Sequence, residues 1–190
     1  MTAVLIGNGP SREGFDLNIF TGKAVTYGCN AVYRDYPDVD YVVYIDGGIA
    51  TELQRQKFPP AKILAPTMKE TFEPEEYNRF ARFKNNAGAL AINKACQDTH
   101  HDIVYLLGFD TVLAEGDFLG NVYLDTENYP TKVAFEDQIR RKSYIDWTCA
   151  KYPNTKFVFC FPDEVKKFQH MNAPNIVGLN FTKLKERFDA

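Results

Sequence analysis

The chain has 190 residues and a formal net charge of -3 at pH 7, with 45% hydrophobic and 25% charged residues. This composition is that of an ordinary globular domain, and the slight acidic excess argues against a dedicated nucleic-acid binder, which carries a basic face. No apolar run approaches the roughly 18 residues of a membrane span, and no signal-type segment opens the chain, so we expect a cytoplasmic protein. The four cysteines are scattered without a CxxC pair, so we expect reduced thiols and no metal site.

The first predicted element is a short buried strand at residues 3–6, which ends on Gly7-Asn8-Gly9-Pro10-Ser11. Glycine permits a close approach of another molecule to the backbone, and Pro10 suits the first turn of a helix. Such a corner directs unpaired N–H groups at one point and favours an anion, most often a phosphate. A tight turn that needs glycine for its geometry alone would carry the same residues, and this stretch does not separate the two readings.

Short apolar runs then alternate with helical patterns along the chain. The further predicted strands are residues 24–27, 41–45, 62–65, 103–107, 156–161 and 175–179, and the predicted helices are residues 50–57, 74–83, 88–97, 135–151 and 181–188. In the longest helix we expect Phe135, Ile139, Ile145 and Cys149 to face inward. This alternation predicts an α/β fold: a Rossmann-like, mostly parallel sheet with helices on both faces, in a single domain over residues 1–190.

Residues 113–133 show neither the helical nor the strand period. Long irregular segments of compact domains are often lids or binding loops, and we expect one here. The alternative is a small hairpin in which residues 122–124 form one strand.

Four predicted strands end on glycine combined with Asn or Asp. The stretches are Gly7-Asn8-Gly9, Gly28-Cys29-Asn30, Asp46-Gly47-Gly48 and Gly108-Phe109-Asp110. Ligands of open α/β sheets bind beyond the carboxyl ends of the strands, so we expect a nucleotide-type pocket there. Each Asn taken alone is equally compatible with an Asx turn that stabilises its own loop.

The motifs narrow the choice of nucleotide. The stretch GNGPSREG is not the GxGxxG fingerprint, and the second strand closes on Asn30 rather than on an acidic residue, so a NAD site is disfavoured. No GxxxxGK[ST] stretch is present, which excludes a P-loop at the level of the motif. The amides of Asn8 and Asn30 both donate and accept hydrogen bonds, as a base edge or a ribose hydroxyl requires.

Three stretches, VLIGNGPS, YGCNAVY and NNAGALAINKA…DIVYLLGFD, resemble the bacterial sialyltransferases that decorate lipooligosaccharide, together with related domains of unknown function. In that family a single Rossmann-like domain binds a CMP-sugar. The resemblance implies that Asn8, Gly9 and Ser11 approach the phosphate and ribose, and that Asp110 lies at the pocket wall. The nucleotide-binding residues expected in all are Gly7, Asn8, Gly9, Ser11, Asn30, Asn86, Gly88 and Gly108.

The chain also departs from that family. The family has a Thr-Ser pair before the glycine at position 88, where this chain has Asn86-Ala87, and it usually has Asn where this chain has Asp46. Its catalytic histidine comes from the loop that matches residues 121–133, which contain no His. His100 and His101 follow the predicted helix 88–97, where we expect an interaction with the helix dipole, and His170 lies in a surface-like stretch.

A glycosyl transfer needs a base for the acceptor hydroxyl and a donor to the departing phosphate. Asp46 or Asp110 is the candidate base, with Asp125 and Glu127 as weaker candidates.

The phenols of Tyr123 and Tyr129 are candidate donors, although half-buried tyrosines of α/β loops are often structural. The resemblance implies inverting transfer without a metal or other cofactor.

We therefore expect a glycosyltransferase-like protein that takes a nucleotide sugar, with the acceptor and the oligomeric state left open. The alternatives are a nucleotide-binding protein that has lost its catalytic base and a protein that only binds partners.

Overall fold

The computed structural model describes residues 1–65, 86–99, 101–113, 120–129, 135–165 and 171–189. Within these ranges seven strands form one sheet: β1 (Thr2–Ile6), β2 (Val25–Cys29), β3 (Tyr41–Val43), β4 (Ile63–Leu64), β5 (Ile103–Leu107), β6 (Lys156–Phe161) and β7 (Ile176–Asn180). Their order is β4-β3-β2-β1-β5-β6-β7, and every neighbouring pair is parallel. The order reverses between β1 and β5, which makes the carboxyl ends of these two strands the switch point of the sheet.

Helices cover both faces of this sheet. The described helices are α1 (Gly47–Arg55), α2 (Ala87–Thr99), α3 (Phe135–Ala150) and α4 (Phe181–Phe188). Side chains of α2 and α3 share a core with Ala3 and Leu5 of β1, whereas those of α1 and α4 share a second core with Val4 and Ile6. Successive residues of a strand point to opposite faces, and both faces of β1 are covered, so its residues 3–6 are buried and form a continuous apolar run. The predicted Rossmann-like α/β fold is confirmed.

Most predicted elements are found, with three shifts next to the expected pocket. Strand β2 ends at Cys29, two residues later than predicted. Strands β5 and β6 and helix α4 begin and end where predicted. Helix α1 begins at Gly47 rather than at residue 50, because the Ala50 N–H already donates to the Asp46 carbonyl at 3.2 Å. Strand β3 ends at Val43, two residues earlier than predicted. The predicted helix 74–83 lies outside the described residues.

The inward face of α3 was predicted wrongly at one position. Ile145 and Cys149 are buried as expected, but the side chain of Ile139 is 53% exposed. Ile139 precedes Ile145 by six residues, which is about 120° around a helix, so the two side chains cannot share one face. The side chain of Phe135 lies outside the described part of the structure.

Residues 120–129, called segment 120–129 below, consist of consecutive turns closed by one bridge between Thr126 and Tyr129. The hairpin alternative is therefore wrong for residues 122–124, which form a turn. Asn121 starts that turn, since its side-chain oxygen accepts from the Tyr123 N–H at 2.9 Å and its carbonyl accepts from the Leu124 N–H at 3.0 Å. Residues 114–119 and 130–134 of the predicted lid lie outside the described residues.

None of the helices in the described ranges has the length and apolar character that crossing a membrane would require.

Candidate functional site

The corner that follows β1, residues 7–11, is joined directly to the corner that follows β5. The Gly7 N–H donates to the Leu107 carbonyl at 2.7 Å, and the Gly9 N–H donates to the Gly108 carbonyl at 2.9 Å. A Cβ on Gly7 would lie 2.4 Å from the Gly108 carbonyl oxygen, and Gly108 itself has a φ of +66°. Glycine is therefore required here for a close contact between two backbone segments.

Asp110 completes this junction. The N–H of Ser11 donates to Asp110 Oδ2 at 2.8 Å, and the Ser11 hydroxyl donates to Asp110 Oδ1. A Cβ on Gly9 would lie 2.3 Å from the carboxylate carbon, so Gly9 makes room for this side chain. Burial raises the pKa of Asp110 to about 6, against the opposing effect of the Ser11 hydrogen bonds. The Ser11 N–H that was expected to face an external anion is thus satisfied by a carboxylate of the same chain.

On its other side, toward β2, the β1 corner presents Asn8. Asn8 Nδ2 donates to the Tyr129 hydroxyl at 3.3 Å, and Asn30 Nδ2 donates to Asp46 Oδ2 at 3.1 Å. Asn30 has a φ of 53°, a left-handed conformation that Asn tolerates better than most residues. The structure therefore brings four predicted site residues together at the carboxyl ends of β1, β2 and β3: Asn8, Asn30, Asp46 and Tyr129.

The side-chain oxygens of Asn8 and Asn30 have no hydrogen-bond partner within the described part of the chain, although both are buried. The Asn30 amide donates from its nitrogen to Asp46, so its oxygen points away from Asp46. Buried polar atoms are nearly always hydrogen-bonded, and an unsatisfied one costs about 1–3 kcal/mol. Two such acceptors lie close together after the neighbouring strands β1 and β2.

The two candidate tyrosines differ in their surroundings. Burial raises the pKa of Tyr129, and the nearby Asp46 carboxylate raises it further, so the phenol keeps its proton near neutral pH. The Tyr123 hydroxyl instead donates to Asp35 and accepts from Arg12 Nη2 at 2.8 Å. Tyr129 belongs with Asn8, Asn30 and Asp46 to what we call the asparagine cluster, whereas Tyr123 belongs to a separate network with Arg12 and Asp35.

Sequence reasoning missed Arg12, which supports the β1 corner. Its side chain is 3% exposed, donates from Nε to the Gly7 carbonyl at 2.6 Å and pairs through Nη1 with Asp35 at 2.9 Å. Burial opposes the charge of Arg12, but the Tyr123 oxygen and the Asp35 carboxylate outweigh it and raise the pKa of Arg12. Only its place directly after Ser11 hinted at this role, because the sequence does not show which partners reach it.

Segment 120–129 lies over the asparagine cluster. The Val122 N–H donates to the Asn8 carbonyl at 2.8 Å. Asn128 approaches α1 so closely that a Cβ on Gly48 would lie 2.0 Å from its Oδ1. Gly48, which the sequence places at the expected pocket, therefore makes room for this segment.

Two other predicted nucleotide-binding residues lie at the start of α2. Asn86 Oδ1 accepts from the Ala89 N–H at 2.9 Å, as a helix-capping side chain does. A Cβ on Gly88 would lie 2.8 Å from the ring of Phe109, so this glycine allows α2 to pack on the β5 corner. These contacts give both residues a role in the fold.

His101 precedes β5 and so lies at the amino edge of the sheet, opposite the candidate site. Its side chain is 1% exposed and meets the Tyr27 ring edge-on at 6.2 Å between centroids. Burial lowers the pKa of His101, which disfavours the charged imidazole expected to interact with the helix dipole. His100 and His170 lie outside the described residues.

In the described ranges, no three His, Cys, Asp or Glu side chains are grouped so that they could hold a metal ion. A cavity of about 520 Å³ lies beside α1 and β4, with Tyr44, Lys57 and Phe58 in its lining, and it does not include the asparagine cluster.

Comparison of the chain with models of known protein families, with curated proteins and with solved structures finds no match. The resemblance to sialyltransferases therefore depends on the short sequence stretches alone. A function drawn from it stays a prediction.

Proposed function

We propose that this chain binds a nucleotide sugar of the CMP type at the carboxyl ends of β1 and β2 and transfers the sugar to an acceptor. The observation that carries the proposal is the pair of buried Oδ1 atoms of Asn8 and Asn30, which have no hydrogen-bond partner within the described ranges. The GNGPS corner and the other stretches that resemble sialyltransferases favour a CMP-sugar among nucleotide ligands.

The chemistry of the two amides indicates which part of the ligand they hold. Both free atoms are acceptors, and the Asp46 carboxylate lies beside one of them. They are suited to groups that donate hydrogen bonds, such as ribose hydroxyls or the amino group of cytosine, and not to a phosphate.

We assign the departing phosphate to Tyr129. Its hydroxyl accepts a hydrogen bond from Asn8 and keeps its own proton for donation. A donor at this position stabilises the negative charge that develops on the phosphate as the sugar leaves.

We assign the base to Asp46. Its side chain is exposed beside Asn30, where an acceptor can reach it. In the transfer Asp46 takes the proton of the acceptor hydroxyl, whose oxygen bonds to the anomeric carbon while the bond from that carbon to the phosphate oxygen breaks. Asp110, the other candidate, is held by Ser11, and we assign it to the β1 corner.

The second candidate function is binding of the nucleotide without catalysis. It is favoured by the absence of His from residues 121–133 in the sequence and by the location of His101 at the opposite edge of the sheet.

Binding is tested by measuring the thermal shift of the chain with CMP, UMP, AMP and GMP. Turnover is tested by measuring hydrolysis of a CMP-sugar. We expect stabilisation by CMP and slow hydrolysis that D46N removes while CMP binding remains. D38N, which neutralises an exposed carboxylate outside the site, is the matched control. Binding without hydrolysis supports the second function, and no shift with any nucleotide contradicts both.

A further inference from the structure

Several contacts attach segment 120–129 to the rest of the chain, and Arg34 makes contacts with more of its residues than the others do. Arg34 Nη1 donates to Thr126 Oγ1 at 2.8 Å, and Arg34 Nη2 donates to the Glu127 carbonyl at 2.9 Å. The guanidinium also lies 5.5 Å from the ring centre of Tyr123 and 5.8 Å from that of Tyr129, within cation–π distance of both. One side chain therefore contacts the segment at four residues.

Arg34 is itself fixed from the opposite side by Glu52 of α1. Arg34 Nε donates to Glu52 Oε1 at 2.7 Å and Nη2 donates to Oε2, which makes a two-point contact. Glu52 is 2% exposed and also accepts from the hydroxyl of Tyr33 and, at 2.8 Å, from the side chain of Asn128. A buried carboxylate with this many donors holds the guanidinium in one orientation.

The same turn carries both Arg34 and a residue of the candidate site. The 3-10 turn Asn30–Arg34 begins at Asn30, and its middle residues Ala31, Val32 and Tyr33 are buried. Arg34 thus links the rigid turn that presents Asn30 to the segment that presents Tyr129.

We infer that Arg34 is a positioning residue for the nucleotide site, which holds segment 120–129 so that the Tyr129 hydroxyl lies beside Asn8 and Asn30. This inference rests on the proposed function, since it gives Arg34 a role through Tyr129 and not by contact with the ligand. Lysine cannot replace it, because one ammonium cannot make the two-point contact with Glu52 while also reaching Thr126 and the Glu127 carbonyl.

The first test is amide hydrogen exchange of the ligand-free chain. The Tyr129 N–H donates to the Thr126 carbonyl and the Asp125 N–H to the Tyr129 carbonyl, so both amides report on the closed segment. We expect R34K to exchange faster at both, and R55A to leave them unchanged. Arg55 is the matched control because it pairs with the Glu127 carboxylate at the exposed surface of the same segment.

The second test is a double-mutant cycle read by calorimetric titration with CMP. R34K is expected to weaken CMP binding about tenfold in the wild-type background and less than twofold in the Y129F background. T126V removes one acceptor of Arg34 without uncovering Glu52, and we expect a smaller loss in the same direction.

Unchanged amide exchange at Tyr129 in R34K would overturn the inference. An equal loss of CMP affinity in the wild-type and Y129F backgrounds would also overturn it, because a merely structural role of Arg34 predicts no dependence on Tyr129. If the wild-type chain binds no nucleoside phosphate, the proposed function fails and the positioning role fails with it. Faster exchange in R34K would then show only that Arg34 anchors the segment.

Discussion

The corner after β1 has two sides, and they differ in how their polar groups are satisfied. Toward β5, every polar contact is made within the chain: backbone hydrogen bonds join Gly7 and Gly9 to the next corner, and Asp110 accepts from Ser11. Toward β2, the oxygens of Asn8 and Asn30 are buried without a partner in the described residues.

The residues of this one short motif therefore differ in role: some shape the turn, and one is a candidate for ligand binding. Glycine and serine of this corner serve the junction of two strands, whereas the side-chain oxygen of its asparagine accepts no hydrogen bond from the described residues. A Gly-Asn-Gly-Pro-Ser corner at a switch point therefore does not by itself indicate a free phosphate site. We propose the ligand on the other side, where the Asn8 and Asn30 oxygens have no partner in the described residues.

The largest expected effect concerns the ion pair between Arg34 and Glu52, which lies on the β2 side. E52Q leaves the partly buried Arg34 guanidinium without its counter-charge, and we expect the free energy of unfolding to fall by about 3–5 kcal/mol in urea titrations. Arg34 holds the pKa of Glu52 down to about 2 from an ordinary 4.5, so this stability is present above about pH 4.5 and is lost as the pH falls toward 2. E127Q, at an exposed ion pair on the same segment, is the control and should change little. A fall in E52Q no larger than in E127Q would show that the β2 side does not depend on this pair.

The next prediction concerns how the free energy of unfolding depends on pH through Asp110, on the β5 side of the corner. The folded pKa of Asp110, about 6, lies above its ordinary value of 3.8, so the folded chain holds this proton more tightly than the unfolded chain does. Stability from the protonated carboxyl is therefore present below about pH 4 and decreases as the pH rises through 6. Relative to D110N, which cannot ionise, the wild-type chain should lose on the order of 2 kcal/mol between pH 4 and pH 7. If the difference in unfolding free energy between the wild-type chain and D110N stayed constant over this range, Asp110 would not have a raised pKa in the folded chain.

A smaller effect compares the two sides directly without ligand. S11A removes a donor to a partly buried carboxylate and should cost about 1–2 kcal/mol in unfolding free energy. N8A removes one long hydrogen bond, which destabilises the fold, and also a buried oxygen without a partner in the described residues, which stabilises it. Because these two effects oppose each other, the unfolding free energy should change by less than about 0.5 kcal/mol. Equal losses in the two variants, measured by urea unfolding, would mean that the two sides are satisfied alike.

The fold was predictable because its signals are local. Strands such as β5 and β6 are apolar runs bounded by polar residues, and burial on both faces of a parallel sheet produces such runs. Ile139 was misjudged because an apolar residue in a helix does not by itself define the buried face. The start of α1 was missed because Gly47 and Gly48 are poor helix formers, while close packing of segment 120–129 requires a glycine at position 48.

The site was predictable only in part. Parallel pairing brings strand ends to one edge, which is why Asn8, Asn30 and Asp46 could be grouped. The pairing of Asp110 with Ser11 depends on which strand lies next to β1, and the sequence does not state this order. Arg34 and Glu52 were missed because a charged residue in a turn or helix usually faces solvent, and only the packed structure shows that Glu52 is buried.

The proposal that Asn8 and Asn30 bind the nucleotide is tested by calorimetric titration with CMP, in which the wild-type chain is compared with N8A and N30G. Glycine at position 30 avoids strain at a φ of 53°, and K57G, an exposed residue with a φ of 54°, controls for the added backbone freedom. We expect the wild-type chain and K57G to bind CMP alike and N8A and N30G each to bind about tenfold more weakly or worse, as the proposed contact of both asparagines with the nucleotide requires. CMP binding that is equally tight in all four proteins would contradict it.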